Sequence, residues 1–429
     1  MADDQKKLGP FLATMLVAGG MIGSGIYLLP ASLAATGSIS LLGWCLAVLG
    51  AALLAGVFST LAILRPQSGG LFEHIAEAFG PGVGFVAGVL YWIPVANAPI
   101  ALAVTGYLSF FLPQVATGPA ATLTTLTTVW LFIGANFIGA RFVARLGGWT
   151  LLIGLAPILL VAVGGWAYFK PAVFAASWNV SGKPDYQAIP SSAALAFWAF
   201  TGLEYASIVA LRVQNPRRNV PVATFGGLAL AAVVYLAACG VIMGILPAAV
   251  LAKSNAPFAD AAAPWLGPVV AGVVALCAML KSCGSLAAAD LALIETGDSQ
   301  TVLGQIVLGG GYRRTDRPST FSLIFFGLIM SVVVIASASP TLAGQFTTLA
   351  NITVIIYMLV YLAACLALIR FSGEVSARRR PLVRGVALCG AIFCCYMIAS
   401  SERSLLEWSA AALVVTLLVY LVVRLRQRR

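Results

Sequence analysis

Glu204 is the one charged residue in an apolar run from Ala193 to Ala210, and it lies beside the helix-weakening pair Thr201-Gly202. An ionisable side chain at mid-bilayer costs at least about 2.5–3.5 kcal/mol, so it persists either as a packing carboxylate with a buried partner or because it works. A carboxylate at a break in an apolar helix fits a substrate or ion site. A second cluster reads Gly19-Gly20-Met21-Ile22-Gly23-Ser24-Gly25-Ile26. Its glycines remove side-chain bulk and favour unwinding around a serine hydroxyl. A third group is Lys281, Asp290 and Glu295 in one apolar segment. Nine residues at helical rise put Lys281 about 13 Å from Asp290, too far to pair. Lys281 must therefore meet Glu204, a solute carboxylate or water, or stay neutral. A structural ion pair, an anion-binding lysine and a proton-coupling lysine all remain open readings.

Such residues need a scaffold that holds them in lipid. The chain has 429 residues, 61% hydrophobic and 9% charged, against about 25% charged in soluble domains. It reads as an all-α integral membrane protein without a soluble domain. Segments of about 20 apolar residues can cross a bilayer. Twelve are expected, at roughly 11–34, 40–64, 82–112, 122–138, 151–168, 193–211, 224–246, 266–293, 321–336, 347–369, 383–400 and 405–423. The stretches 170–192 and 297–320 are Gly-rich or polar and read as loops. The segment Gly69–Gly80 is amphipathic and reads as a short interfacial helix. It carries His74, the only histidine, expected to sit on its surface.

The net charge of +11 does not indicate nucleic acid, because its placement follows the membrane. With a cytoplasmic N-terminus, 20 of the 25 Lys and Arg fall on the cytoplasmic side, 4 on the other, and Lys281 inside a span. That bias puts both termini in the cytoplasm. All eight cysteines lie in expected spans and read as small packing residues, not as a disulfide or zinc framework. The first apolar run is too long for a signal-peptide core and is expected to remain as span 1.

The two interruptions occupy comparable places. Spans 1 and 6 open two sets of five, over 1–170 and 190–371, with two extra helices over 382–424. Five is odd, so the second set enters from the opposite face. This five-plus-five inverted repeat has discontinuous helices 1 and 6 meeting near the midplane, where free N–H and C=O groups can hold a solute. Gly-Ser-Gly alone also suits close helix packing. The paired break at Thr201-Gly202 favours a site.

Three motifs carry a family likeness: Val17 to Pro30, Trp198-Ala-Phe-Thr-Gly-Leu-Glu204, and Asn215-Pro-Arg-Arg-Asn-Val-Pro221. With them the chain resembles the amino acid–polyamine–organocation superfamily, and within it the basic amino acid/polyamine antiporters. The likeness runs from about Leu8 through Phe371 and more weakly beyond. It implies alternating access, exchange of an amino acid for its decarboxylated amine, frequent dimerisation, and a bacterial cytoplasmic membrane. It also implies substrate contacts at Ile22, Gly23, Ser24 and Gly25, stacking on Trp198, and further contacts at Asn97 and Thr353. Glu204 is implied to form a gate with Tyr91 and Tyr361. Helix N-termini attract carboxylates, and an indole face attracts a cation by up to about 2 kcal/mol or more.

The chain departs from the family where Gly20 replaces an asparagine and Ala289 a tryptophan. Both changes are expected to widen the pocket. A fixed charge at Lys281 would repel dications by about 3 kcal/mol at about 6 Å and an effective dielectric of 20. The leading reading is thus an amino acid and amine exchanger. The alternative is a proton-coupled symporter of a neutral or acidic amino acid or organic anion, using Lys281 or Glu204. Nothing suggests an enzyme, a cofactor or a metal: there is no P-loop, no metal-ligand spacing and a single histidine.

Overall fold

The computed structural model describes residues 8–23, 25–65, 71–208, 213–300 and 320–427. Among them the architecture is all helical, apart from an isolated bridge between Leu8 and Val213. Among the described residues, eight helical stretches are long and apolar enough to cross a membrane. They are Ser40–Leu64, Gly118–Ile138, Ala140–Tyr168, Pro216–Ile245, Pro257–Ile294, Leu342–Glu374, Arg380–Ala399 and Arg403–Val422. The chain is thus a multi-pass helical membrane protein. The other apolar segments form shorter helices, and those pieces position the site.

We number the helices in chain order: α1 Pro10–Met21, α2 Leu29–Ala34, α3 Ser40–Leu64, α4 Leu71–Phe79, α5 Pro81–Trp92, α6 Ala98–Ser109, α7 Gly118–Ile138, α8 Ala140–Leu159, α9 Pro171–Ala176, α10 Asp185–Phe197, α11 Tyr205–Ile208, α12 Pro216–Ile245, α13 Ala248–Leu251, α14 Pro257–Gln300, α15 Thr320–Ala336, α16 Leu342–Phe371, α17 Arg380–Ala399 and α18 Arg403–Gln427. α16 is largely buried and α12 nearly so, whereas α18 presents much of its length outward.

The expected first span is broken. α1 stops at Met21, where Ile22 turns out of the helix with ψ 62°, and the chain resumes at Gly25 in a short 3₁₀ turn before α2. The sixth is broken too. α10 passes into a 3₁₀ turn at Trp198–Phe200, Thr201 is extended, and Gly202 takes φ +99°. Only glycine adopts that backbone without strain.

Three expectations need correction. The single span expected over 82–112 is two helices, α5 and α6, separated by Ile93–Asn97. Ile93 is extended ahead of Pro94, as the ring of a following proline requires. The stretch 170–192 is not one loop: it contains α9, and α10 starts at Asp185 rather than near Ala193. His74 is not on the surface. It is 1% exposed beneath α4, with Leu71, Ile75 and Ala78 on the same buried face.

Close approach between helices is made by glycine. A Cβ on Gly50 of α3 would overlap the Phe393 ring of α17, whereas Gly134 on α7 has open space around it. Gly50→Ala should therefore destabilise the protein by about 1–3 kcal/mol through overpacking. Gly134→Ala should be neutral or stabilise by up to about 1 kcal/mol. Thermal unfolding of the purified variants checks both, and equal melting of the two would contradict this packing.

Candidate substrate site and gate

The two breaks face one another. The space a Cβ on Gly25 would need is filled by the Trp198 ring, and that on Gly20 by the Tyr205 ring. The hydroxyl of Tyr235 on α12 donates to the Met21 carbonyl and lies 3.3 Å from the Ala199 carbonyl. One side chain thus reaches the frayed ends of both interrupted helices, whose carbonyls have lost their helical partners. Thr201 turns its hydroxyl back on the Trp198 carbonyl at 2.7 Å. Ile22 is 4% exposed, and Gly23 donates its N–H to the Met21 carbonyl at 2.6 Å. Ser24 lies outside the described residues.

Glu204 is fully buried. Tyr91, at the end of α5, donates to its Oε1, and Tyr361 of α16 donates to Oε2 at 2.9 Å. Each carboxylate oxygen thereby has a phenolic donor, with no cation needed. Tyr91 stacks on Tyr357 with ring centroids 4.5 Å apart and meets Phe72 of α4 edge-on at 5.1 Å. Phe58 lies 5.0 Å from Tyr361. The carboxylate therefore sits inside an aromatic wall built from α3, α4, α5 and α16.

The remaining candidates are spread around this centre. Trp198 is 5% exposed, meets Phe346 edge-on at 5.1 Å, and its indole N–H has no acceptor among the described residues. Thr353 is buried and donates to the Leu349 carbonyl of its own helix at 2.8 Å. Asn97 closes the break between α5 and α6, and its amide donates to Asp290 Oδ1 at 2.8 Å. Lys281 packs its aliphatic stem against Gly154 of α8 and donates to Ser285 at 2.9 Å. No carboxylate lies within 4.0 Å of its ammonium among the described residues. The widened pocket expected at Gly20 is not there, because Tyr205 fills that space. Sequence reasoning also missed Tyr235 and Tyr357. Tyr357 had a usable signal, lying one turn before Tyr361 on the same face of α16.

On the polar side of the wall, Arg65 at the end of α3 pairs with Glu374 beyond α16, donates to Glu77 of α4 at 3.0 Å, and covers the Phe371 ring at 4.6 Å. His74 Nε2 lies 3.4 Å from the Arg65 carbonyl. The Arg65 hydrogen bond holds the Glu374 carboxyl below its ordinary range. Burial, its largest influence, pushes the His74 imidazole down.

Interrupted helices that meet beside a buried, tyrosine-held carboxylate, in an apolar bundle, define a membrane transporter rather than an enzyme. Comparison with known proteins gives the narrower assignment. The chain belongs to the amino acid permease family, whose model matches residues 8–419. It is 36% identical over 408 residues to a cadaverine/lysine antiporter of Escherichia coli K12, covering 92% of this chain and 90% of that one. It is 32% identical over 409 residues to the putrescine transporter PotE of the same strain, covering 94% and 93%. Its identity to the PotE protein of Haemophilus influenzae is 30% over 415 residues, covering 95% of each.

Two outcomes follow. Tyr91→Phe and Tyr361→Phe should each lower stability by about 1–3 kcal/mol, since each removes a phenolic donor from a buried carboxylate. Thermal unfolding checks this, and no change in either variant would mean the bonds are dispensable. Acid should loosen α4. The Glu374 contribution is present above the ordinary carboxylate value and is lost as pH falls through its lowered one. A His74 held neutral costs stability once pH drops below the ordinary imidazole value of about 6.5, because the unfolded chain binds the proton first. Amide protection over Leu71–Phe79, corrected for the intrinsic exchange rate at each pH, should fall as pH drops below about 6.5 and again below the ordinary carboxylate value of about 4.3, and Glu374→Gln should remove the lower step.

Proposed function

We propose that this protein is a secondary active transporter of the bacterial cytoplasmic membrane. It exchanges an amino acid for a related amino acid or for its decarboxylated amine by alternating access. The observation that carries this reading is the meeting of the two breaks around Tyr235, beside Glu204 held by Tyr91 and Tyr361. The resemblance to cadaverine/lysine and putrescine transporters points the same way and names the substrate class.

In this reading there are twelve spans. Eight are the long helices, and the broken pairs α1–α2, α5–α6 and α10–α11 together with α15 supply the others. Residues 1–170 and 190–371 form the inverted repeats, 382–424 adds two helices, and both termini are cytoplasmic. The functional unit is a homodimer. The backbone of Ile22, Gly23, Ser24 and Gly25 and the Thr201 turn take the carboxylate and α-amino group, since free backbone groups at a helix break attract both. Trp198 stacks on the aliphatic or cationic part. Asn97 and Thr353 meet the far end. Tyr91, Tyr361 and Glu204 close the path on one side, because hydroxyls joined to a carboxylate form a barrier that parts without leaving a fixed cation behind.

Lys281 supports a second reading. A buried ammonium bonded only to Ser285 among the described residues suits a group that gains and loses a proton during transport, as a coupled symporter of a neutral or acidic amino acid or organic anion requires.

Proteoliposomes separate the two. For an exchanger, uptake of labelled lysine requires internal lysine or cadaverine. Equal uptake into empty vesicles sinks exchange. Uptake driven by an acidic exterior and abolished by Lys281→Met establishes the symporter instead.

A further inference from the structure

Asp290 has no part in the scheme above, yet it is fully buried on α14. Its Oδ1 accepts from Asn97 at 2.8 Å, and no donor among the described residues reaches Oδ2. Three residues earlier on the same face, the Ala287 carbonyl lies 3.4 Å from the amide nitrogen of Asn136. Asn136 is also fully buried, and its Oδ1 likewise meets no donor. Both orphan atoms, Asp290 Oδ2 on α14 and Asn136 Oδ1 on the neighbouring α7, are acceptors. A buried carboxylate is expensive to hold ionised unless charge and hydrogen bonds compensate it. Lys281 does not compensate it, since its ammonium is bonded to Ser285 and nine residues of helix put it about 13 Å away.

Asn97 links this acid to the gate. It stands at the end of the α5–α6 break, six residues after the tyrosine that donates to Glu204. The segment that carries the gate tyrosine therefore also grips Asp290. We propose that Asp290 is a specificity-determining residue whose Oδ2 accepts the distal ammonium of a dibasic substrate: the ε-ammonium of lysine or one end of a linear diamine. An ammonium has three donors and no acceptor, which is what a buried carboxylate oxygen that no donor reaches calls for. Asn97 is the positioning residue, turning the carboxylate by its bond to Oδ1. This assignment rests on the exchanger reading.

Equilibrium binding to the purified full chain tests it, with lysine and norleucine as probes, because norleucine lacks the ε-ammonium. Asp290→Asn keeps the size of the side chain and removes its negative charge. It should weaken lysine binding by about tenfold or more, the loss expected of one charge-assisted hydrogen bond, and leave norleucine within about twofold. Asn97→Ala should show the same contrast more weakly, and it provides the reading if Asp290→Asn does not fold. Asp290→Glu should keep the preference for lysine. Unchanged lysine binding in Asp290→Asn would mean that the acid is carried protonated, and an equal loss of both probes would make it structural. Either overturns the assignment. Failure of the unsubstituted protein to bind lysine or cadaverine overturns the exchanger reading and this one with it.

Discussion

A carboxylate that cannot reach water must be given its hydrogen bonds by the protein, and Glu204 organises the centre of this molecule for that reason. Its donors come from two distant parts of the chain, Tyr91 on α5 and Tyr361 on α16. Those helices must therefore converge on the broken sixth segment. The rings that carry the hydroxyls then need apolar cover, which Phe58, Phe72 and Tyr357 provide. One charge thus accounts for an aromatic wall spanning four helices.

Irregular backbone imposes a second demand. At membrane depth every free carbonyl or N–H must find a partner inside the protein or line a cavity. The breaks at Ile22 and Thr201 meet it by sharing Tyr235 and by short local bonds such as Thr201 to Trp198. Glycine allows the approach, since the Trp198 ring occupies the position where any larger residue at 25 would place its Cβ. The unwinding and the contact between the two segments therefore depend on each other.

Much of this was legible in the chain. Long apolar segments give the helices, and a lone acid beside Thr-Gly marks the sixth break because a charge in lipid is conspicuous. The third break was missed although its signal was present. A 31-residue apolar run exceeds one span, and Pro94 and Pro99 lie inside it. Hydropathy is blind to a break that stays apolar. Tyr235 could not be singled out, because an isolated tyrosine in an apolar helix reads as packing until its hydroxyl is seen between two carbonyls. His74 was misplaced for a different reason. The amphipathic pattern of α4 is real, but α4 lies against the ends of α3 and α16 and not on lipid alone, so its boundary face is buried.

The pairing of Gly20 with Tyr205 carries a lesson about how such a protein changes. The smallest residue on one segment faces a large ring on another, and together they keep the volume between α1 and α11 occupied. A bulkier residue at 20 without a smaller one at 205 collides, while the reverse exchange opens a void. Neither position can drift freely, so the two form one heritable unit of shape, and this seam would be remodelled by reciprocal exchange rather than by a single enlargement.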